Sequence, residues 1–225
     1  MGTVFHHFVA KCLFATKRAR PDIAVAVAFL TTRVKSPDED DWKKLVRMIR
    51  YLKGTPDLAL RLSADSTVVP KWWVDGAHGV HPNMRGHTGG CVSLGGGMAV
   101  SSSTKQKINT RSSTETEIVA VDDLMPMLLW TNYFLEGQGY GTTSSILYQD
   151  NKSAILLENN GRKSSSKRTK HIHMRYYFIT DRIQKNELSI EHCPTKAMVA
   201  DFFTKPLQGR LFYEFRSIIM NIPKE

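Results

Sequence analysis

From Val68 onward, short β-rich runs and amphipathic helical stretches follow one another in the order β-β-β-α-β-α-α-β-α, and that order leaves few architectures open. Val68 to Asp75, Gly89 to Leu94 and Met98 to Ser102 read as strands, with Gly95-Gly96-Gly97 turning between the last two. A long helix is predicted over about Ser113 to Leu135. There Ser112-Ser113-Thr114-Glu115 forms a capping box, and Ile118, Val121, Met125 and Leu128 make an apolar stripe. Pro126 inside that stretch predicts a kink or break. Ile146 to Asp150 reads as a buried strand, and Lys152 to Glu158 as a short helix ended by Asn159-Asn160-Gly161. A helix from His171 to Gln184, a strand from Leu188 to His192 and helices on either side of Pro206 complete the order. An antiparallel meander that feeds alternating strands and helices requires an α/β fold, a mixed five-stranded sheet with helices on its faces.

The first seventy residues obey a different grammar. Ser36-Pro37-Asp38-Glu39 is a capping box with proline at the first helical position, and Trp42, Leu45, Val46, Ile49 and Leu52 follow at helical spacing. Gly54 and Pro56 supply the stop. Pro21 opens a shorter apolar helix through Ile23 to Leu30, and Leu58, Leu60 and Leu62 alternate as in a half-buried strand. Asp65-Ser66-Thr67 marks the expected boundary between two parts, residues 1–65 and 66–225. The longest apolar run, Ile23 to Leu30, is too short to span a bilayer, so no membrane partner is expected. Lys11, Lys17, Arg18 and Arg20 interrupt the early apolar residues, which argues against a secretory signal. Cys12, Cys91 and Cys193 lie far apart, so a reducing compartment is expected and a disulfide framework is not. The formal net charge of +10 over 225 residues points to a polyanionic partner.

Acids fall at telling places. Asp75 lies near the end of the first strand, Glu115 and Glu117 in the first turn of the long helix, Asp150 at the close of the fourth strand, and Asp201 at the start of a helix after the fifth. Each alone is more often a cap or a surface charge, but a folded sheet can bring all of them to one point. Magnesium favours a few carboxylates with positions left for water and phosphate. Two such ions about 4 Å apart activate water and stabilise the leaving oxygen of a phosphodiester. Glu115 and Glu117 are two apart on a helix, so only one of them can face such a centre, and position alone does not choose.

Ser112-Ser113-Thr114-Glu115-Thr116-Glu117, Tyr148-Gln149-Asp150-Asn151-Lys152-Ser153-Ala154, Arg168-Thr169-Lys170-His171-Ile172 and Ala200-Asp201-Phe202-Phe203-Thr204-Lys205-Pro206-Leu207 carry a resemblance. They come in the order found in the ribonuclease H domain of copia-type retrotransposon polyproteins, which the chain resembles. Lys105-Gln106-Lys107 fits the basic run before the Ser-Ser-Thr-Glu motif. Upstream, Arg20-Pro21-Asp22-Ile23 and Arg50-Tyr51-Leu52-Lys53-Gly54-Thr55 resemble the stretch joining reverse transcriptase to ribonuclease H. The resemblance implies a ribonuclease H-like domain at residues 66–225, preceded by a helical remnant of the reverse-transcriptase thumb or connection. It implies an endoribonuclease that cuts the RNA strand of RNA–DNA hybrids with two Mg²⁺ ions, Mn²⁺ being an alternative. The implied metal-binding and catalytic acids are Asp75, Glu117, Asp150 and Asp201. The implied partners are the hybrid and the rest of the reverse transcriptase, and the implied location is a cytoplasmic virus-like particle or the nucleus. Around Asp75 the match is looser, since the segment reads Trp73-Val74-Asp75-Gly76-Ala77-His78. Cellular ribonucleases H also place a histidine in a loop before the last aspartate; here His192-Cys193-Pro194-Thr195 is shorter, and His192 is assigned to the strand with no catalytic role.

Arg162, Lys163, Lys167, Arg168, Lys170 and Arg175 put six positive charges into fourteen residues without an acid. In isolation such a tract is a solvated loop; beside a phosphodiesterase centre it favours a phosphate backbone, with affinity that falls as salt rises. Ser112, Ser113 and Asn151 adjoin two of the acids and are candidates for contacts to sugar hydroxyls or phosphates, with capping as the plainer role. His171 is expected to anchor its helix or meet a phosphate. Asp122-Asp123 lies within a helical stripe with no tyrosine before it, so it reads as a polar helix face rather than a polymerase centre. Gly95-Gly96-Gly97 lacks the ending of a phosphate-binding loop, and neither His6-His7 nor His171-Ile172-His173 has a cysteine at zinc-ligand spacing. The rival reading is a non-catalytic nucleic-acid-binding remnant of a decayed retrotransposon. A third, a nuclease of the same fold acting on DNA junctions or duplexes, is disfavoured by the motifs.

Overall fold

The computed structural model describes residues 2–141, 144–161 and 172–223. Its N-terminal part is three helices, α1 (Gly2–Arg18), α2 (Ala24–Thr31) and α3 (Glu39–Gly54), with a 3-10 turn at Pro21–Ile23 opening α2. Phe5, Val9, Cys12, Ile23, Val27, Leu30, Leu45 and Met48 form their shared core. The predicted cap of α3 is displaced by two residues. Asp38 is the N-cap and exchanges bonds with Asp41, each side chain accepting from the other's backbone N–H. Asp38 is favoured because Arg33 reaches both carboxylates, at 3.2 Å to Asp38 and 2.8 Å to Asp41.

The strand expected over Leu58 to Leu62 is absent. Leu58 and Leu60 are half-buried in the alternation the spacing implies, but only β1 (Ser63–Ala64) forms a ladder, with β4 (Gly95–Gly96). The segment lies instead against the glycine turn, and the Arg61 N–H donates to the Met220 carbonyl at 3.0 Å. A side chain at Gly97, whose φ is +72°, would strike the Arg61 carbonyl, which explains a glycine there beyond simple turning.

The main sheet is built from β2 (Lys71–Ala77), β3 (His87–Ser93), β5 (Val100–Lys105), β6 (Ser145–Gln149) and β7 (Leu188–His192). Their spatial order is β5-β3-β2-β6-β7. The β2–β3 and β3–β5 pairs are antiparallel, and β2–β6 and β6–β7 are parallel. This is the mixed α/β architecture, a five-stranded sheet with flanking helices, that the element order led us to expect. Helix α4 (Ser113–Gly137) runs through Pro126 without the predicted break. Leu124, Met125, Leu128 and Leu129 are buried around it, and this packing outweighs the loss of one backbone bond.

Helices α4, α5 (Lys152–Asn160) and α6 (His173–Gln184) cover one face of the sheet. There Trp72, Val74, Leu147 and Leu188 pack on Ile118, Val121, Ala154, Tyr176 and Ile179. The opposite face is covered by a 3-10 turn at Val199–Phe203 and by α7 (Gly209–Met220), through Phe203, Phe215 and Ile219 on Cys91. Trp72 is buried and Trp73 half-buried, as alternate residues of one strand must be when they face different layers. Among the described residues no helix is long and apolar enough to cross a membrane.

Candidate metal centre

The parallel strands β2 and β6 pair over only three residues, ending at Trp73 opposite Tyr148. Asp75 and Asp150 come two residues beyond that last pair, so they flank the point where the strands part. Ligand sites of open α/β sheets form at such carboxyl ends, beside the strand where the order reverses.

Helix α4 adds its first turn to the same opening. Ser112 caps it, its Oγ accepting from the Glu115 N–H at 3.3 Å. Glu115 is turned back to accept from the Arg111 N–H at 2.7 Å, so it closes the turn and does not complete a capping box with Ser112. Thr116 ties the turn to its surroundings: Gln106 Nε2 donates to its carbonyl at 3.0 Å, and His78 Nδ1 lies 2.9 Å from its hydroxyl. With Glu115 engaged there, Glu117 faces β2, where its Oε2 accepts from the Gly76 N–H at 3.0 Å. The approach is close enough that a Cβ at Gly76 would lie 2.6 Å from the Thr116 carbonyl oxygen.

As a result, Asp75, Glu117 and Asp150 each present a carboxylate oxygen within 4.8 Å of the others. Asp75 and Glu117 are buried and Asp150 is half-buried. Thr195 Oγ1 donates to Asp150 Oδ2 at 2.9 Å. Asp201, in the 3-10 turn, lies outside this group of three but within electrostatic reach of Asp75 and Asp150. Its Oδ1 is 2.6 Å from Lys205 Nζ, which also lies 3.7 Å from Asp75 Oδ2, and Thr204 donates its hydroxyl to Asp75.

The electrostatics are those of acids crowded out of water. Burial, then Asp75, Asp150 and Glu158, push Glu117 well above the usual carboxylate range. Burial raises Asp75 too, opposed by Lys205 and Thr204, and burial together with Asp75 and Asp150 raises Asp201 against the pull of Lys205. Lys205 is held above its ordinary value by Asp75, Asp201 and Asp150, despite the burial that disfavours its charge. An all-oxygen donor set whose negative charge Lys205 offsets only in part suits a hard divalent cation such as Mg²⁺ or Mn²⁺.

The other expected contact residues fare differently. Ser112 is the cap of α4, and Ser113 is exposed beside it. Asn151 caps α5, its Oδ1 accepting from the N–H groups of Ser153 and Ala154 at 3.1 Å each. Arg175 pairs with Asp122, with Asp123 at 3.8 Å, so the acidic pair serves as a helix face that holds α6. Arg162, Lys163, Lys167, Arg168, Lys170 and His171 lie outside the described residues. His192 ends β7 and is exposed. Sequence reasoning missed Thr195, Thr204 and Lys205. Thr204 and Lys205 lie within the Ala200–Leu207 segment that carries the resemblance, and Lys205 has in addition its spacing of four from Asp201.

No protein-family model matches the chain. The retrovirus-related Pol polyprotein from transposon RE2 of Arabidopsis thaliana is 34% identical over 198 residues, 87% of this chain and 14% of that protein. The corresponding polyprotein from transposon TNT 1-94 of Nicotiana tabacum is 28% identical over 204 residues, 91% of this chain and 15% of that protein. The chain thus spans 14–15% of the length of these relatives. Among solved structures, LC11-RNase H1 in complex with an RNA/DNA hybrid, from a compost metagenome, superposes with a TM-score of 0.44 at 17% identity. That match covers 60% of this chain and 92% of the other.

Proposed function

Because this chain is related by sequence to one segment of the copia-type retrotransposon Pol polyproteins, we propose that it is their ribonuclease H segment, hydrolysing the RNA strand of RNA–DNA hybrids. The observation that carries the reading is the meeting of Asp75, Glu117 and Asp150 from three separate elements within 4.8 Å. Asp201 completes the acid set on the side of Lys205. When bound, a pair of divalent cations supplies Lewis-acid activation of water and stabilisation of the leaving oxygen.

The chain's own residues do the positioning. Gly76 and Thr195 fix the carboxylates of Glu117 and Asp150 by hydrogen bonds, which narrows their freedom before any cation arrives. The walls of the opening exclude water and so strengthen each charge interaction inside it. Residues 1–65 are read as the helical end of the reverse-transcriptase connection, and the basic tract Arg162 to Lys170 as the arm that meets phosphates.

The test is cleavage of a labelled RNA–DNA hybrid by purified protein with Mg²⁺ or with EDTA, comparing wild type with Asp150→Asn. Cleavage is expected only from wild type with Mg²⁺. Equal activity in the two proteins overturns the proposal. Salt-sensitive hybrid binding without cleavage by either protein would instead assign the chain to a non-catalytic remnant.

A further inference from the structure

The turn that carries Asp201 carries a cation with it. The N–H groups of Thr204 and Lys205 both return to the Asp201 carbonyl, at 3.2 and 2.9 Å, so positions 201, 204 and 205 are held as one unit. That unit presents a carboxylate, a hydroxyl and an ammonium to Asp75. The ammonium divides the acids. Among the described residues neither Glu117 nor Asp150 forms an ion pair, whereas Asp201 is paired at 2.6 Å and Asp75 is approached at 3.7 Å. The acids are nearly enclosed, with side chains 4% exposed at Asp75 and 10% at Asp201, but the Lys205 side chain is 42% exposed and has a path to solvent.

We propose that Lys205 gates the outer half of the centre: its ammonium must leave Asp201 before a divalent cation can be shared between Asp75 and Asp201. The proposal rests on the hydrolase reading and adds to it an order of filling. A cation entering among Asp75, Glu117 and Asp150 breaks no ion pair with Glu117 or Asp150 and meets Lys205 only across its longer, 3.7 Å contact with Asp75. One entering beside Asp201 must break the Lys205 pair and still tolerate a like charge nearby, which weakens its binding. Lys205 thereby sets the cation concentration at which the second position fills.

Calorimetric titration of the full chain with Mn²⁺, without nucleic acid, tests this directly. Wild type is expected to bind in a stronger and a weaker step. Lys205→Met should tighten the weaker step about tenfold, the equivalent of about 1.4 kcal/mol, and the stronger one by much less. Lys205→Arg, which keeps the charge, should behave as wild type, and Asp201→Asn should lose the weaker step alone. Circular dichroism of each variant establishes that it is folded. A single wild-type step that becomes two in Lys205→Met also supports the gate; a single step in both overturns it. If Asp150→Asn abolishes the stronger step while Lys205→Met leaves the weaker one unchanged, the gate falls and the hydrolase reading stands. If Asp150→Asn changes nothing, the acids are not a metal centre and both fall.

Discussion

Glu158 on α5 is fully buried, and it adds to the upward push on the Glu117 carboxyl. Burial pushes its carboxyl up to about 8, opposed by the Gln149 amide, although the two groups are not aligned as a good hydrogen bond. The folded carboxyl therefore keeps its proton over a range in which the unfolded chain has lost it. Stability from this group is full below about pH 4.3 and is lost as pH rises toward 8. Glu158→Gln is expected to flatten the fall in stability between about pH 5 and pH 8, seen as urea midpoints in EDTA that converge at pH 5 and favour the variant at pH 8. A slope unchanged by the substitution would remove the buried carboxyl as its cause. At this scale the sequence exposed the acids but not their company. Asp75, Glu117, Asp150 and Asp201 stand out because strand ends and helix starts are where a sheet gathers side chains. Thr195 and Thr204 carry no such mark, since a hydroxyl contact across 45 or 129 residues exists only after folding.

The critical joint between elements is where β2 passes beneath the first turn of α4. Gly76 permits it, because any side chain there meets the Thr116 backbone. Gly76→Ala is expected to cost about 1–3 kcal/mol of stability, read from urea unfolding, by forcing helix and strand apart. The same displacement would lengthen the Gly76–Glu117 bond, so cation affinity should fall along with stability. Capping and periodicity made most elements legible, with α4 expected over 113–135 and found over 113–137. The errors have tertiary causes. The cap of α3 was expected at Ser36 and lies at Asp38, where Arg33 pairs with both Asp38 and Asp41. Leucine alternation over residues 58–62 reported half-burial correctly for Leu58 and Leu60 but not for the exposed Leu62, and a strand also needs a partner, where the neighbouring glycine turn offered only two residues of ladder.

Across the molecule, a buried polar network joins the first helices to the last. Arg20 grips Asp22 at 2.9 and 2.8 Å, Tyr51 donates to the same carboxylate at 2.6 Å, and Arg216 of α7 reaches the Tyr51 hydroxyl at 3.2 Å. Breaking it by Asp22→Asn is expected to cost about 3–5 kcal/mol, because the Arg20 charge is left buried without its partner. Calorimetry that finds no change in melting temperature would show the network to be dispensable. The joining of the first helices to α7 was not legible, because Asp22, Tyr51 and Arg216 lie on separate elements that only the fold brings together. Helix α7 has a consequence for biosynthesis. Phe215 and Ile219 close one face of the sheet, so a nascent chain leaves the ribosome with that face open until α7 has emerged. A message with a stop codon ahead of position 209 would yield a sticky, unfinished sheet and not merely a shorter protein.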